Sequence, residues 1–173
     1  MKATLDLINQ MQADGVIGEY AIGGAVGATF YLDPVATLDV DVFVALPTGG
    51  GGLVSLSPIY EYLKARGCVE KEEHMVIGGW PVQFLHPCDA LETEAVAEAV
   101  AATVEEVGTR VMSAEHLVAI ALSTGRAKDH TRIAQFIEQD AVDRKKLRSL
   151  LERHGLTSKW QKFENAYLGG GHE

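Results

Sequence analysis

At 173 residues the chain can bury one respectable core, or one medium domain with a small helical appendage, and is too short for two independent large domains. An apolar fraction of 47% and a charged fraction of 23% exclude wholesale disorder, leaving only the Gly49–Gly52 run and the Gly169–Glu173 tail compositionally loose. The net charge of −9 is uneven: residues 1–125 hold 5 Lys/Arg against 17 Asp/Glu, whereas residues 126–162 hold 10 against 5, so the C-terminal segment is basic.

Leu5, Leu7, Ile8 and Met11 recur at helical spacing up to Asp14-Gly15, which predicts a first amphipathic helix over 2–13. Tyr20-Ala21-Ile22 reads as a short strand broken by Gly23-Gly24, and Ala25–Leu32 as a short apolar helix closed by Asp33-Pro34. Leu38–Leu46 is the most strand-like run, rich in Val and bounded by Pro47 and four glycines, and is expected at the centre of a sheet. A helix over about 57–66 precedes strands at 68–76 and 81–86, with Gly78-Gly79 turning between them. Residues 89–101 read as a helix and Thr103–Met112 as one strand. From there the pattern is helical: 114–124 with Ser113 as N-cap, then 127–139, 143–154 and 157–167, separated by Gly125, Asp140 and Gly155.

No apolar run approaches the roughly 20 residues of a membrane span, and the N-terminus lacks the apolar core of a signal peptide, so a cytoplasmic location is expected. Cys68 and Cys88 are too few for a disulfide framework and lack Cys-x-x-Cys spacing; reduced, partly buried thiols with no disulfide partner are expected. His86-Pro87-Cys88-Asp89 supplies two soft ligands where zinc needs a tetrahedral set. Trp80 and Trp160 read as packing residues, since neither lies in a basic aromatic cluster.

Side chains alternate across a strand, so Asp39 and Asp41 project from one face about 7 Å apart, opposite Val40, Val42 and Val44. Two like charges in so apolar a run lose hydration and repel unless cations or donors compensate. Mg²⁺ (or Mn²⁺), held by carboxylates and nucleotide phosphates, supplies that compensation in nucleotidyl transfer. The plain alternative is a pair of aspartates on the solvent face of an edge strand. Gly23-Gly24, at a strand-to-helix junction fourteen residues before Asp39, argues for the site: glycines allow close backbone approach, and amides at a helix start suit phosphate. The spacing is not G-x-G-x-x-G, and no G-K-[ST] completes a P-loop. Arg126, Lys128, Asp129 and Arg132 surround one helix start, where they either meet phosphate or form a salt-bridged helix surface.

Gly23-Gly24 followed by Thr37-Leu38-Asp39-Val40-Asp41 resembles the signature of the DNA polymerase beta-type nucleotidyltransferase superfamily, and within it most nearly the AbiEii/AbiGii-type toxin nucleotidyltransferases. Ser113-Ala114-Glu115-His116-Leu117 and Gly125-Arg126-Ala127-Lys128-Asp129 are similar to that family's C-terminal helical region. The resemblance implies an α+β fold, a mixed β-sheet flanked by helices, with a nucleotidyltransferase-like core over 1–112 and a helical region over 113–173 packed on it. It implies transfer of NMP from an NTP to a hydroxyl of RNA or protein, with a cognate antitoxin as a further partner. On that pattern Asp39 and Asp41 are catalytic and hold metal, Gly23 and Gly24 meet the triphosphate, and Thr37 supports the nucleotide. Three positions depart from it: Val35 stands where the family has Arg, Ile120-Ala121-Leu122 where it has Lys, and Gln83 where it has a third carboxylate. Glutamine cannot accept a proton from an acceptor hydroxyl. Arg126 or Lys128 is the candidate replacement for the cation, and Asp89 or Glu72 for the carboxylate.

These departures define the competing reading, a catalytically impaired relative that binds nucleotide or a protein partner. A haloacid-dehalogenase-like phosphatase also uses Asp-x-Asp, but wants it near the N-terminus and a Thr or Val where Phe43 stands. A glycosyltransferase is disfavoured by length.

Overall fold

The computed structural model of the chain describes residues 1–33, 39–47 and 54–169. Thr37, Val35 and the Gly49–Gly52 run therefore lie outside the described residues. The chain begins with α1 (Lys2–Ala13), whose Leu5, Ile8 and Met11 form one buried stripe. It continues through β1 (Tyr20–Ile22), α2 (Gly24–Ala28), β2 (Val40–Val44), α3 (Ser57–Lys64), β3 (Val69–Lys71), β4 (His74–Ile77), β5 (Trp80–Leu85), α4 (Ala90–Ala97), β6 (Val100–Val104) and β7 (Val107–Val111). Four helices close it: α5 (Ala114–Thr124), α6 (Ala127–Glu138), α7 (Arg144–Arg153) and α8 (Thr157–Phe163), the last running into a π-helical turn over Glu164–Leu168.

The seven strands form one mixed sheet in the order β3-β4-β5-β2-β1-β7-β6, so β2 is central as its Val-rich sequence predicts. β2 runs antiparallel to β1, pairing Ile22 with Val42, and parallel to β5, pairing Val40 with Val82 and Asp41 with Gln83. Its period of two divides the interior. Val40, Val42 and Val44 enter a core with Leu5, Ile8, Ile59 and Leu63 of α1 and α3, whereas Phe43 enters a second core with Leu117, Phe136 and Leu150 of α5, α6 and α7. Asp41 shares the parity of Phe43, and so faces the C-terminal helices.

Four local expectations need correcting. α2 is five residues long, shorter than the predicted 25–32. Residues 68–76 are a hairpin, turned where Glu72 takes φ 57°. The helix predicted over 89–101 stops at Ala97, and Val100 and Ala101 join a strand. The single strand predicted over 103–112 is the end of β6, a turn and β7: Glu105 and Glu106 take φ of 49° and 68°, the two left-handed residues of a tight hairpin turn, with neither Gly nor Asn to announce it. Cys68 is half-buried but Cys88 is exposed, and both are free thiols. Trp80 and Trp160 pack against the two cores as expected. Among the described residues no helix is long and apolar enough to cross a membrane.

Ser113 caps α5 by accepting the His116 amide at 3.2 Å, and Gly125 ends it in the left-handed conformation at φ 69°. The chain is thereby turned so that α6 starts beside the C-terminal end of α5. This brings Arg126 and Arg132 over the strand face that carries Asp41.

Candidate active site

Asp41 is the centre of a cleft of about 280 Å³ between the sheet and the helices. Gln83, its register partner on β5, lies beside it on the floor. Phe43, Leu85, Met112 and Leu117 form an apolar wall; Arg126 and Arg132 of the α6 start, and Glu92 of the first turn of α4, supply charge.

The Gly23-Gly24 turn presses against the aspartate. The Gly23 amide donates to the Asp41 carbonyl at 2.9 Å, which ties the turn to β2. Gly24 has φ +57°, and a Cβ built there would stand 1.9 Å from Asp41 Oδ2. No other residue type fits: the backbone conformation is strained for an L side chain, and the space is taken by the carboxylate. A Cβ at Gly23 would meet the Phe43 ring at 2.8 Å. Because α2 is so short, the turn offers a phosphate its backbone amides, with little helix dipole behind them.

Burial pushes the Asp41 carboxyl above its ordinary range, and the neighbouring charge of Asp39 pushes it further; Lys128, Arg132 and Arg126 pull it back. Asp41 is thus a desolvated carboxylate facing a like charge on one side and cations on the other. Asp39, just before β2, is more open, and His74 Nε2 stands 3.3 Å from its Oδ2. The cations are themselves organised by Asp129, which is 1% exposed. Its Oδ2 accepts from the Arg126 amide at 3.2 Å and from Arg126 Nε at 2.8 Å, while Arg132 Nη1 lies 3.8 Å from Oδ1. This partner holds the Arg126 guanidinium firmly charged. The helix start is therefore salt-bridged, as one of the two readings of the basic cluster has it, and two of its arginines line the cleft.

Of the residues singled out from sequence, Gly24, Asp41, Gln83 and Arg126 line one cleft. Gly23 is hydrogen-bonded to Asp41, and Asp39 and Lys128 act on that carboxyl through their charges. Ile120 and Ala121 line the cleft as apolar wall where the resembled pattern has a lysine. Neither suggested replacement carboxylate is present in it. Asp89 is the N-cap of α4, accepting the Glu92 amide at 2.8 Å, and Glu72 is exposed in the β3–β4 turn. Besides Asp41, the carboxylates that line the cleft are Asp129, which is bound to Arg126, and Glu92, which sequence reasoning passed over. The Asp89-x-x-Glu92 capping spacing was its only local signal; Glu92 Oε2 accepts not the Asp89 amide of a capping box but that of Cys88, one residue earlier, at 2.8 Å. His74 beside Asp39 had no sequence signal at all.

No family model and no curated protein matches this chain. Solved structures do match. An antigenic nucleotidyltransferase-like protein from Paracoccidioides brasiliensis is similar over 92% of this chain and 91% of its own, with a TM-score of 0.58 at 16% identity. The antibiotic-resistance factor ANT(2'')-Ia, in its solution structure, is similar over 97% of each chain, with a TM-score of 0.50 at 14% identity. The likeness shows a nucleotidyltransferase-like fold, the α+β architecture expected from sequence.

Proposed function

We propose that this chain is a divalent-metal-dependent nucleotidyltransferase that moves a nucleoside monophosphate from an NTP to a hydroxyl of an RNA or protein acceptor. The observation that carries the reading is Asp41: a desolvated carboxylate, wedged against a glycine turn, beside Asp39 and beneath a wall of cations. Its donor set fits a hard divalent ion. Asp39 and Asp41 would hold Mg²⁺ or Mn²⁺ through oxygen, and the ion would neutralise charge on the reacting phosphates.

The chain's own residues supply the rest of the chemistry. The Gly23-Gly24 turn, its Gly23 amide tied to β2, orients the triphosphate through the amide of Gly24, with Thr37 in support, and Arg126, Arg132 and Lys128 balance its charge. Phe43, Leu85, Met112 and Leu117 keep water from the reacting centre. An acceptor oxygen bonds to the α-phosphorus as the bond to pyrophosphate breaks, and the hydroxyl proton passes to the Glu92 carboxylate, which takes the part that Gln83 cannot. Residues 1–112 form the catalytic core in this reading, and the helical region 113–173 closes the cleft. A toxin role with a cognate antitoxin, in the cytoplasm, is supported by the likeness of Ser113–Leu117 and Gly125–Asp129 to the AbiEii-type pattern.

The test is label transfer from each α-labelled NTP, with Mg²⁺ or Mn²⁺, to cell extract or to the protein itself. Asp41→Ala is expected to lower transfer by about 10²–10³-fold with an unchanged circular dichroism spectrum. Failure with all four NTPs and both metals would overturn the reading. A second reading rests on the pairing of Gln83 with Asp41: a neutral amide stands where a proton acceptor is expected, so the chain binds NTP without turnover. Calorimetric NTP binding with no transfer, unchanged in Gln83→Asp, would establish it. Turnover by the native chain, lost in Glu92→Gln, would exclude it.

A further inference from the structure

A second cluster of ligating groups lies at the N-terminal end of α5, where His116 precedes the cleft-lining Leu117 and faces α4. His116 Nε2 and one carboxylate oxygen each of Glu94 and Glu98 all lie within 4.8 Å of one another. His116 is 3% exposed, and its Nε2 is buried without a hydrogen-bond partner. The facing Glu94 Oε1, at 3.4 Å, is outside hydrogen-bond geometry. The other ring nitrogen is engaged: Nδ1 lies 2.8 Å from Ser113 Oγ. An Nδ1–H donated to Ser113 leaves Nε2 with a buried lone pair facing the Glu94 carboxylate, the state in which an imidazole ligates a metal.

We infer that Glu94, Glu98 and His116 form a zinc site that ties α4 to α5. Three further observations support it. Ligands with bonds of about 2.1 Å to a tetrahedral zinc stand about 3.4 Å apart, which is the His116–Glu94 separation already present. Glu94 in α4 and Glu98 at its C-cap are four residues apart, a like-charge pairing that weakens the helix end unless a cation bridges it. Outer contacts position the ligands: Ser113 orients the imidazole, His154 Nε2 holds Glu94 Oε2 at 2.7 Å, and Arg153 donates through Nε to Oε2 and through Nη2 to Oε1, a contact that zinc on Oε1 would share or displace. One nitrogen and two carboxylate oxygens suit Zn²⁺ better than Mg²⁺ or Ca²⁺, and the exposed Glu98 leaves an entry path and room for a water as fourth ligand.

The inference stands apart from the nucleotidyltransferase reading and is tested without activity. The full chain carrying Asp39→Asn and Asp41→Asn, which silences the first carboxylate pair, is stripped with chelator and titrated with ZnCl₂ in a calorimeter. One equivalent of zinc is expected, with at least tenfold weaker binding in both Glu98→Gln and His116→Gln and no heat from MgCl₂. Cobalt substitution should give the visible bands of a tetrahedral site, lost in His116→Gln. Glu98 is exposed, so its variant keeps the test valid if His116→Gln fails to fold. Absence of a zinc equivalent, or affinity unchanged by Glu98→Gln, overturns the site.

Discussion

At the scale of single residues the site turns on one contact, the absence of a side chain at Gly24 beside the Asp41 carboxylate. A methyl group there meets Oδ2 at 1.9 Å and sits at φ +57°, so Gly24→Ala combines backbone strain with displacement of the Asp41 carboxylate. The left-handed conformation alone costs about 1–2 kcal/mol for an L residue. Urea denaturation should therefore show a loss of that order or more, and label transfer should fall by about 100-fold, the effect of moving a catalytic group by an ångström. Unchanged transfer in a folded Gly24→Ala protein would detach the glycine turn from the chemistry. Gln83 and Glu92 are the complementary pair at this scale: the strand register assigns the amide to Asp41's neighbour, and a helix from a later segment brings the carboxylate.

Among elements, α7 joins a buried apolar stripe of Leu147, Leu150 and Leu151 to a polar N-terminal cap. Its first turn is closed by Asp143, which accepts the amides of Lys145 at 2.9 Å and Lys146 at 3.0 Å. The Lys146 amide, foremost, with the Lys145 amide and the charges of both lysines, holds the Asp143 carboxyl below its ordinary value of 3.8. A depressed folded pKa contributes stability that is present above the unfolded value and is lost as pH falls through the folded one. Melting temperature should thus drop as pH falls below about 4, and Asp143→Asn, a cap that does not titrate, should show a shallower drop over that window. Equal slopes in the two proteins would remove Asp143 from the acid response. The hairpins behave differently from the helices. β3–β4 and β6–β7 turn on glutamates with positive φ, so no turn residue marks them, and the edge strands β3 and β6 gain their partners only from the sheet.

For the molecule as a whole, β2 separates two cores and belongs to both. Phe136 of α6 is fully buried in the helical core, with its ring centroid 6.3 Å from that of Tyr31, whose hydroxyl donates to the Met112 carbonyl at 2.9 Å. This chain of contacts sets α6, at whose start Arg126 stands, against the end of β7. Phe136→Ala should cost about 3–5 kcal/mol in urea denaturation, the range for removing a buried aromatic ring. At about 2–4 °C per kcal/mol for a chain of this size, the melting temperature should fall by roughly 10 °C. A loss below 1 kcal/mol would mean that the helices do not depend on this core.

The helix starts and stops at Ala13, Ser113 and Gly125, the strand at Tyr20–Ile22 and the centrality of Val40–Val44 were legible in the residues alone. Each rests on an interaction reaching a few positions along the chain: apolar period, cap or glycine break. The juxtaposition of Gly24 with Asp41 was legible in part, because a glycine turn after one strand and an Asp-x-Asp at the start of the next meet when the two strands pair antiparallel. What tertiary structure alone decided is which side chains share the cleft. Glu92, Ile120, Ala121 and Arg132 reach it because β2 pairs in parallel with β5 some forty residues away and α5 and α6 fold back over that face. The turns at Glu72, Glu105 and Glu106 likewise exist because sheet pairing outweighs the local cost of positive φ. Residue type determined the chemistry on offer, and long-range pairing determined which groups are close enough to use it.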